Sequence, residues 1–141
     1  MSLAAISHRH HTTPRTGARI AWGAFALFLL AFAVLEVVNH GTPALITAVA
    51  FAIIPDLTLF IGAREARNGK LSPKAVPYYN FMHRPWIPLA IMVVYSFGPV
   101  DFVPIFVAGL AWLLHVAADR AFGYGLRNPD GSRGLPSPHH A

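Results

Sequence analysis

Four side chains able to do chemistry fall where polar groups are least expected: Asp56, His83, His115 and Asp119 lie in or beside long apolar runs. A carboxylate costs about 2.5–3.5 kcal/mol at the centre of a membrane-inserted helix, so such groups persist there when paired, hydrated or metal-bound. Two carboxylates in one layer repel unless a cation separates them. Together with two imidazoles they form a mixed nitrogen and oxygen set suited to Zn²⁺, Mn²⁺ or Fe²⁺ rather than to Ca²⁺, which prefers more oxygens. His115 and Asp119 are four apart and share a helix face with Ala108, Ala111 and Ala118, small residues that let helices approach closely. Tyr79 and Asn80, just before His83, are placed to support it, and Arg84 and Arg120 are candidates to hold an anionic group such as a phosphate. Taken singly, each residue has a plain structural explanation: Asp119 pairing with an arginine, His115 bonding a helix carbonyl, Asp56 capping or bridging helices. The case for a metal rests on all four converging, because no compact motif such as H-E-x-x-H is present.

Convergence requires elements that bring distant positions to one depth. The chain of 141 residues is 55% hydrophobic and only 12% charged, about half the charge of an ordinary soluble domain, and its mean hydropathy is +0.48. A soluble enzyme, a nucleic-acid binder and a disordered tail are thereby disfavoured, leaving the lipid bilayer as solvent. Spanning a core about 30 Å thick takes roughly 20 helical residues. Four stretches qualify, at about 20–38, 43–62, 75–97 and 102–122. They are separated by Asn39-His40-Gly41-Thr42-Pro43, by a basic middle loop and by Gly98-Pro99. The expected architecture is all-α, a four-transmembrane-helix bundle over 20–126, with an unstructured leader (1–19) and tail (127–141).

The eleven basic residues fix the expected orientation. Arg9, Arg15 and Arg19 precede the first stretch, Arg64, Arg67, Lys70, Lys74 and Arg84 lie between or beside the second and third, and Arg120, Arg127 and Arg133 close the chain. The other two loops have none, so the positive-inside rule puts both termini and the middle loop in the cytoplasm of a cell-membrane protein. A signal peptide fits the first stretch poorly: its polar leader and apolar run are long, and no clear small-x-small cleavage site precedes Pro43. In this topology Asp56 lies about 9 Å and His115 roughly 10 Å from the cytoplasmic end of its helix, with His83 near the start of the third stretch. The pI of about 10.3 reflects this distribution rather than a nucleic-acid surface. Loop residues 64–74 set topology first and contact anionic lipid headgroups second.

Other polar groups point to less. Glu36 and His40 are four apart and suit a local pair; Asp101 belongs to an outer loop; His8-Arg9-His10-His11 and His139-His140 resemble adventitious metal binders. The aromatic residues Trp22, Trp86, Trp112, Tyr78, Tyr79 and Tyr124 suit interfacial anchoring. With no cysteine, disulfides, thiolate metal sites and thiol nucleophiles are excluded together.

Pro55-Asp56-Leu57, Tyr79-Asn80 with His83, and the closing string His115 to Leu126, which reads His-x-x-x-Asp-Arg-x-x-Gly-Tyr-Gly-Leu, resemble a small bacterial membrane family, domain of unknown function 4260, over about residues 18–128. The resemblance implies a helical integral membrane protein and brings no established activity. The chain departs from the family in a longer basic middle loop and in Arg127-Asn128-Pro129, where the family has Lys-Tyr-Pro. Pro55-Asp56, His83-Arg84 and His115/Asp119 are more loosely similar to elements of membrane-bound metal-dependent hydrolases, whose further histidines have no clear counterpart here. Two functional expectations follow. One is a cytoplasm-facing metal site that hydrolyses a phospholipid-like or phosphoester substrate; the other is a non-enzymatic ion or proton relay, or a structural bundle, for which transport would need an oligomer.

Overall fold

The computed structural model describes residues 14–133; the two terminal histidine clusters lie outside them. Four helices follow one another: α1 (Pro14–Leu57), α2 (Val76–Met82), α3 (Trp86–Phe97) and α4 (Val103–Phe122). Two short 3-10 turns, Thr58–Phe60 and Ala63–Glu65, leave α1, and no strand is found among the described residues.

The first two apolar stretches are two arms of α1. Its 44 residues would reach about 66 Å if straight. They are not straight, because Gly41 adopts φ 67° and ψ −147°, a conformation open to glycine and closed to residues with a Cβ. The arms fold back on each other at this point, and α4 records it. Along the first arm, Arg19 meets Ala121 and Phe32 meets Phe106, so the two helices are antiparallel. Along the second, Phe51 meets Trp112 and Ala52 meets His115, a parallel course. Ala26, Leu29 and Ala33 of the first arm interlock with Leu110, Leu113 and Ala117 of α4, two matching stripes at the i, i+3, i+7 spacing of one helix face. Alanines within both stripes allow a close approach.

The third stretch, expected over 75–97, is two helices rather than one. Pro85 and Pro88 have no N–H to continue the ladder, and the chain breaks at His83-Arg84 before α3 starts. α3 then crosses α4 at Gly109, where any Cβ would press on Met92 and on the Pro88 carbonyl. α1 and α4 are each long and apolar enough to cross a membrane, whereas α3 is apolar but has 12 residues. Large apolar side chains, among them Leu27, Phe28, Val38, Ile46, Val94 and Phe97, are exposed along α1 and α3.

Both expected unstructured ends are shorter than their composition suggests. Residues 14–19 form the first turns of α1, entered at Pro14, a residue pre-set for a helix start. Residues 127–133 form an ordered turn docked on the loop before α2. The Leu71 N–H donates to the Gly131 carbonyl (3.0 Å), Lys70 pairs with Asp130 (2.8 Å), and Asn80 brackets Arg127, accepting its N–H at 2.7 Å and donating to its carbonyl at 2.9 Å. Gly131 has φ 81°, and a Cβ there would collide with the Leu71 carbonyl.

Lys70 and the Ser132 hydroxyl and N–H hold the Asp130 carboxyl well below the usual carboxylate range. A lowered folded-state pKa stabilises above the unfolded value of about 3.9 and is lost as pH falls below it. Docking of residues 127–133 is therefore expected to be pH-independent near neutrality and to loosen below about pH 4. Exchange of the Leu71 amide, corrected for its intrinsic pH dependence, reports this. Asp130→Asn should raise that exchange already at neutral pH, and Gly131→Ala should raise it further.

Candidate metal centre

The site is assembled at the end of α1, the α2–α3 break and the last turns of α4. On α4, Trp112, His115 and Asp119 sit at i, i+3 and i+7 and face the break. That break frees the carbonyls of Met82 and His83 from their helical donors, and buried carbonyls need partners. α4 supplies both: the Trp112 Nε1–H donates to Met82 (2.6 Å) and the Arg120 Nη2–H to His83 (3.2 Å). His83 is thereby fixed at a helix end with its ring stacked on Tyr79, centroids 3.8 Å apart and planes within 17°.

Each imidazole is oriented by its Nδ1 atom. His83 Nδ1 lies 2.8 Å from the Tyr79 carbonyl oxygen, and His115 Nδ1 lies 2.8 Å from the Ala52 carbonyl oxygen. A carbonyl can only accept, so both Nδ1 atoms carry the hydrogen and both Nε2 lone pairs point elsewhere. They point at each other, 3.4 Å apart. Two carboxylates complete the ring: Asp56 Oδ1 is 3.5 Å from His83 Nε2 and 3.4 Å from His115 Nε2, while Asp119 Oδ2 is 3.3 Å and 3.8 Å from the same atoms.

Asp56, His83, His115 and Asp119 thus converge, with one ligand atom from each all within 4.8 Å of one another. They form a group that could hold a metal ion. Their exposure is graded: the side chains of His83 and His115 are 3% and 10% exposed, Asp119 23% and Asp56 49%. Asp56 is the open corner.

The supporting residues sort differently. Tyr79 supports His83 through its carbonyl and its ring. Asn80 does not face the cluster; it holds the docked C-terminal turn. Arg84 is exposed and forms no side-chain hydrogen bond or ion pair among the described residues, and Arg120 lines a pocket that Arg84 does not line, so the two do not converge as an anion clamp. Glu36 and His40 form the expected local pair, with 3.2 Å between Oε2 and Nδ1, and Asp101 is exposed. Sequence reasoning missed two contributors. The Ala52 carbonyl leaves no trace in side-chain identity, and Trp112 reads as an interfacial aromatic until the carbonyl that it caps is seen.

The fold and site therefore define an all-helical protein with two helices apolar enough to cross a membrane and an aspartate–histidine cluster at their junction with a broken helix. The chain belongs to the family described as Domain of unknown function (DUF4260), whose model matches residues 18–134. No curated protein and no solved structure matches the chain.

Removing the Trp112 donor should loosen the break. Trp112→Phe leaves the Met82 carbonyl without its partner and is expected to cost about 1–3 kcal/mol, read as a lowered midpoint of thermal unfolding in detergent.

Proposed function

We propose that this protein is a multi-pass membrane protein that carries a divalent metal, best matched by Zn²⁺, at Asp56, His83, His115 and Asp119. The observation that carries the reading is the spacing of the four ligand atoms. Hydrogen bonds from nitrogen fall at about 2.7–3.2 Å, whereas five of the six separations among these atoms lie between 3.3 and 3.8 Å and the sixth, between the two carboxylates, is within 4.8 Å. Those five separations suit the edges of a tetrahedron, which are about 3.3–3.4 Å long for ligands at 2.0–2.1 Å from zinc. Octahedral edges, as Mn²⁺ or Fe²⁺ would favour, are nearer 3.0 Å at similar bond lengths. Charge agrees with geometry: two carboxylates neutralise a divalent ion, so the occupied site would add no net charge to an apolar surrounding.

The graded exposure supports a reactive rather than a closed site. A catalytic zinc keeps three firm protein ligands and one exchangeable position. His83, His115 and Asp119 would be the firm set, and Asp56, half-exposed, would occupy or flank the fourth position. The ion would supply Lewis-acid polarisation of a phosphoryl oxygen and would acidify a water. Hydrolysis of a phosphoester is the class that this chemistry serves: the water oxygen bonds to phosphorus, the ester P–O bond breaks, and the leaving oxygen takes a proton. With water in the fourth position, Asp56 would flank it at the open corner and would be placed to accept the water's proton and return it.

Membrane placement is read from the exposed apolar faces of α1 and α3 and from the basic residues. Arg19, the loop after α1 and the turn after α4 are brought together at one end by the contacts of Arg19 with Ala121 and of Leu71 with Gly131. This supports four spans, with α2 and α3 jointly forming the third, and both termini in the cytoplasm under the positive-inside rule.

Two experiments test these readings. Elemental analysis of detergent-purified protein should find about one equivalent of divalent metal, bound at least 100-fold more weakly in His115→Ala and Asp119→Asn, beyond the 10–100-fold typical of losing a supporting partner. Wild type that is metal-free from several media, and whose unfolding is unmoved by added Zn²⁺, Mn²⁺ or Fe²⁺, would sink the metal reading. For topology, the absence of native cysteine permits single-cysteine labelling in intact cells. A membrane-impermeant maleimide should modify Asn39→Cys and leave Asn68→Cys untouched until the cells are lysed; the reverse pattern inverts the topology.

A further inference from the structure

The metal reading leaves the closing Gly-Tyr-Gly-Leu string and most of the arginines without a role. A second site, independent of the metal, gives them one. A pocket of about 660 Å³ lies between the first turns of α1, the end of α4 and the docked C-terminal turn. Arg19, Arg120, Arg127 and Arg133 line it, and no acidic residue does.

The ion pairs among the described residues leave the arginines out. Lys70 pairs with Asp130 and Lys74 with Glu65, and the remaining carboxylate contacts, of Glu36, Asp56 and Asp119, are with histidines, which carry charge only when protonated. None uses arginine. Four arginines therefore gather around one pocket with no carboxylate in its lining, an arrangement that favours an anion.

The arginines are also held in place. Arg19 donates through Nε to the Ala121 carbonyl (2.9 Å), Arg120 through Nη2 to the His83 carbonyl (3.2 Å) and Arg127 through Nη1 to the Gly131 carbonyl (3.4 Å), while Arg133 lies over the Tyr124 ring, 5.0 Å from its centroid. Each of the first three spends one side-chain donor of five on the backbone and retains the others for a ligand. The glycines make room for this: Arg19 packs on Gly123, where a Cβ would sit 3.6 Å from its guanidinium carbon, and Arg120 Nη1 would be 3.2 Å from a Cβ at Gly125. Gly123 has φ 90°, which favours glycine in its own right. Trp22 and Leu126 give the pocket an apolar side.

We propose that this pocket binds a phosphate group. Planar guanidinium forks match phosphate oxygens in pairs, and several pre-positioned forks around one anion outcompete mobile lysines. The phosphate could belong to an anionic lipid headgroup, with its glycerol side against Trp22 and Leu126, or to a free phosphate; the chemistry at the arginines is the same.

The test uses full-length protein purified in detergent and stripped of lipid. Binding of phosphatidylglycerol, phosphatidylcholine and inorganic phosphate is measured in parallel on wild type and on an Arg19→Gln/Arg133→Gln variant. Wild type is expected to bind phosphatidylglycerol or inorganic phosphate, and the variant to bind that ligand at least about tenfold more weakly, the loss expected from removing charge-assisted bonds. Binding of phosphatidylglycerol with little of phosphatidylcholine or inorganic phosphate identifies the lipid source; binding of inorganic phosphate identifies the free one. Arg19→Lys/Arg133→Lys, which keeps the charge, should recover part of the affinity, and metal content should be equal in all three proteins, separating this site from the metal centre. Wild type that binds none of the three, or a glutamine variant with wild-type affinity and an unchanged unfolding midpoint, overturns the proposal. Should the glutamine variant fail to fold, the lysine variant decides: affinity equal to wild type counts against bidentate guanidinium recognition and overturns it.

Discussion

Two hydrogen bonds hold the centre of this protein: the Nδ1–H groups of His83 and His115, given to the carbonyls of Tyr79 and Ala52. Each fixes a tautomer and a ring plane, and together they turn two lone pairs toward one point. The acceptors belong to different segments, one at the start of the broken helix and one on the second arm of α1. Any drift of either segment would rotate an imidazole away, so the packing of the whole junction is written into the geometry of the cluster.

A broken helix is usually a liability in an apolar setting because it frees backbone groups. Here the liability is turned to use. The carbonyls of Met82 and His83, left without helical donors by the break, become the points at which α4 grips it. The face of α4 that does this also carries His115 and Asp119. Structural and chemical duties thus run along one stripe, and a residue such as Trp112 acts on the cluster without touching it.

Much of this could be read from residue order. Apolar runs mark α1 and α4, Asp56, His83, His115 and Asp119 fall at similar distances from the ends of such runs, and i, i+4 spacing sets the last two on one face. What escaped did so for definable reasons. A bent helix and two helices joined by a turn have the same apolar profile, and it is the non-helical backbone at Gly41 that separates the first two stretches into two arms. The break within 75–97 was signalled by Pro85 and Pro88, but where a proline pair stops a helix depends on whether other elements can accept the freed carbonyls. The ordered turn at 127–133 was hidden by composition: proline, glycine and asparagine read as disorder, yet Asn128-Pro129-Asp130-Gly131 is also the pattern of a tight turn. Asn80 was placed correctly in sequence and wrongly in role, because its amide matches a backbone N–H and C=O pair better than it matches a metal cluster.

The reversal at Gly41 has a consequence for how such a chain could be built into a lipid layer. In the four-span arrangement the tip of this hairpin must be carried through the hydrocarbon during insertion, and the tip holds an acid. Glu36 and His40 lie one helical turn apart with 3.2 Å between Oε2 and Nδ1, so the acid travels with a polar partner beside it. A lysine or arginine in the same place would have resisted transfer and kept the tip inside. The choice of imidazole over ammonium at that one position thus bears on assembly as well as on the finished fold.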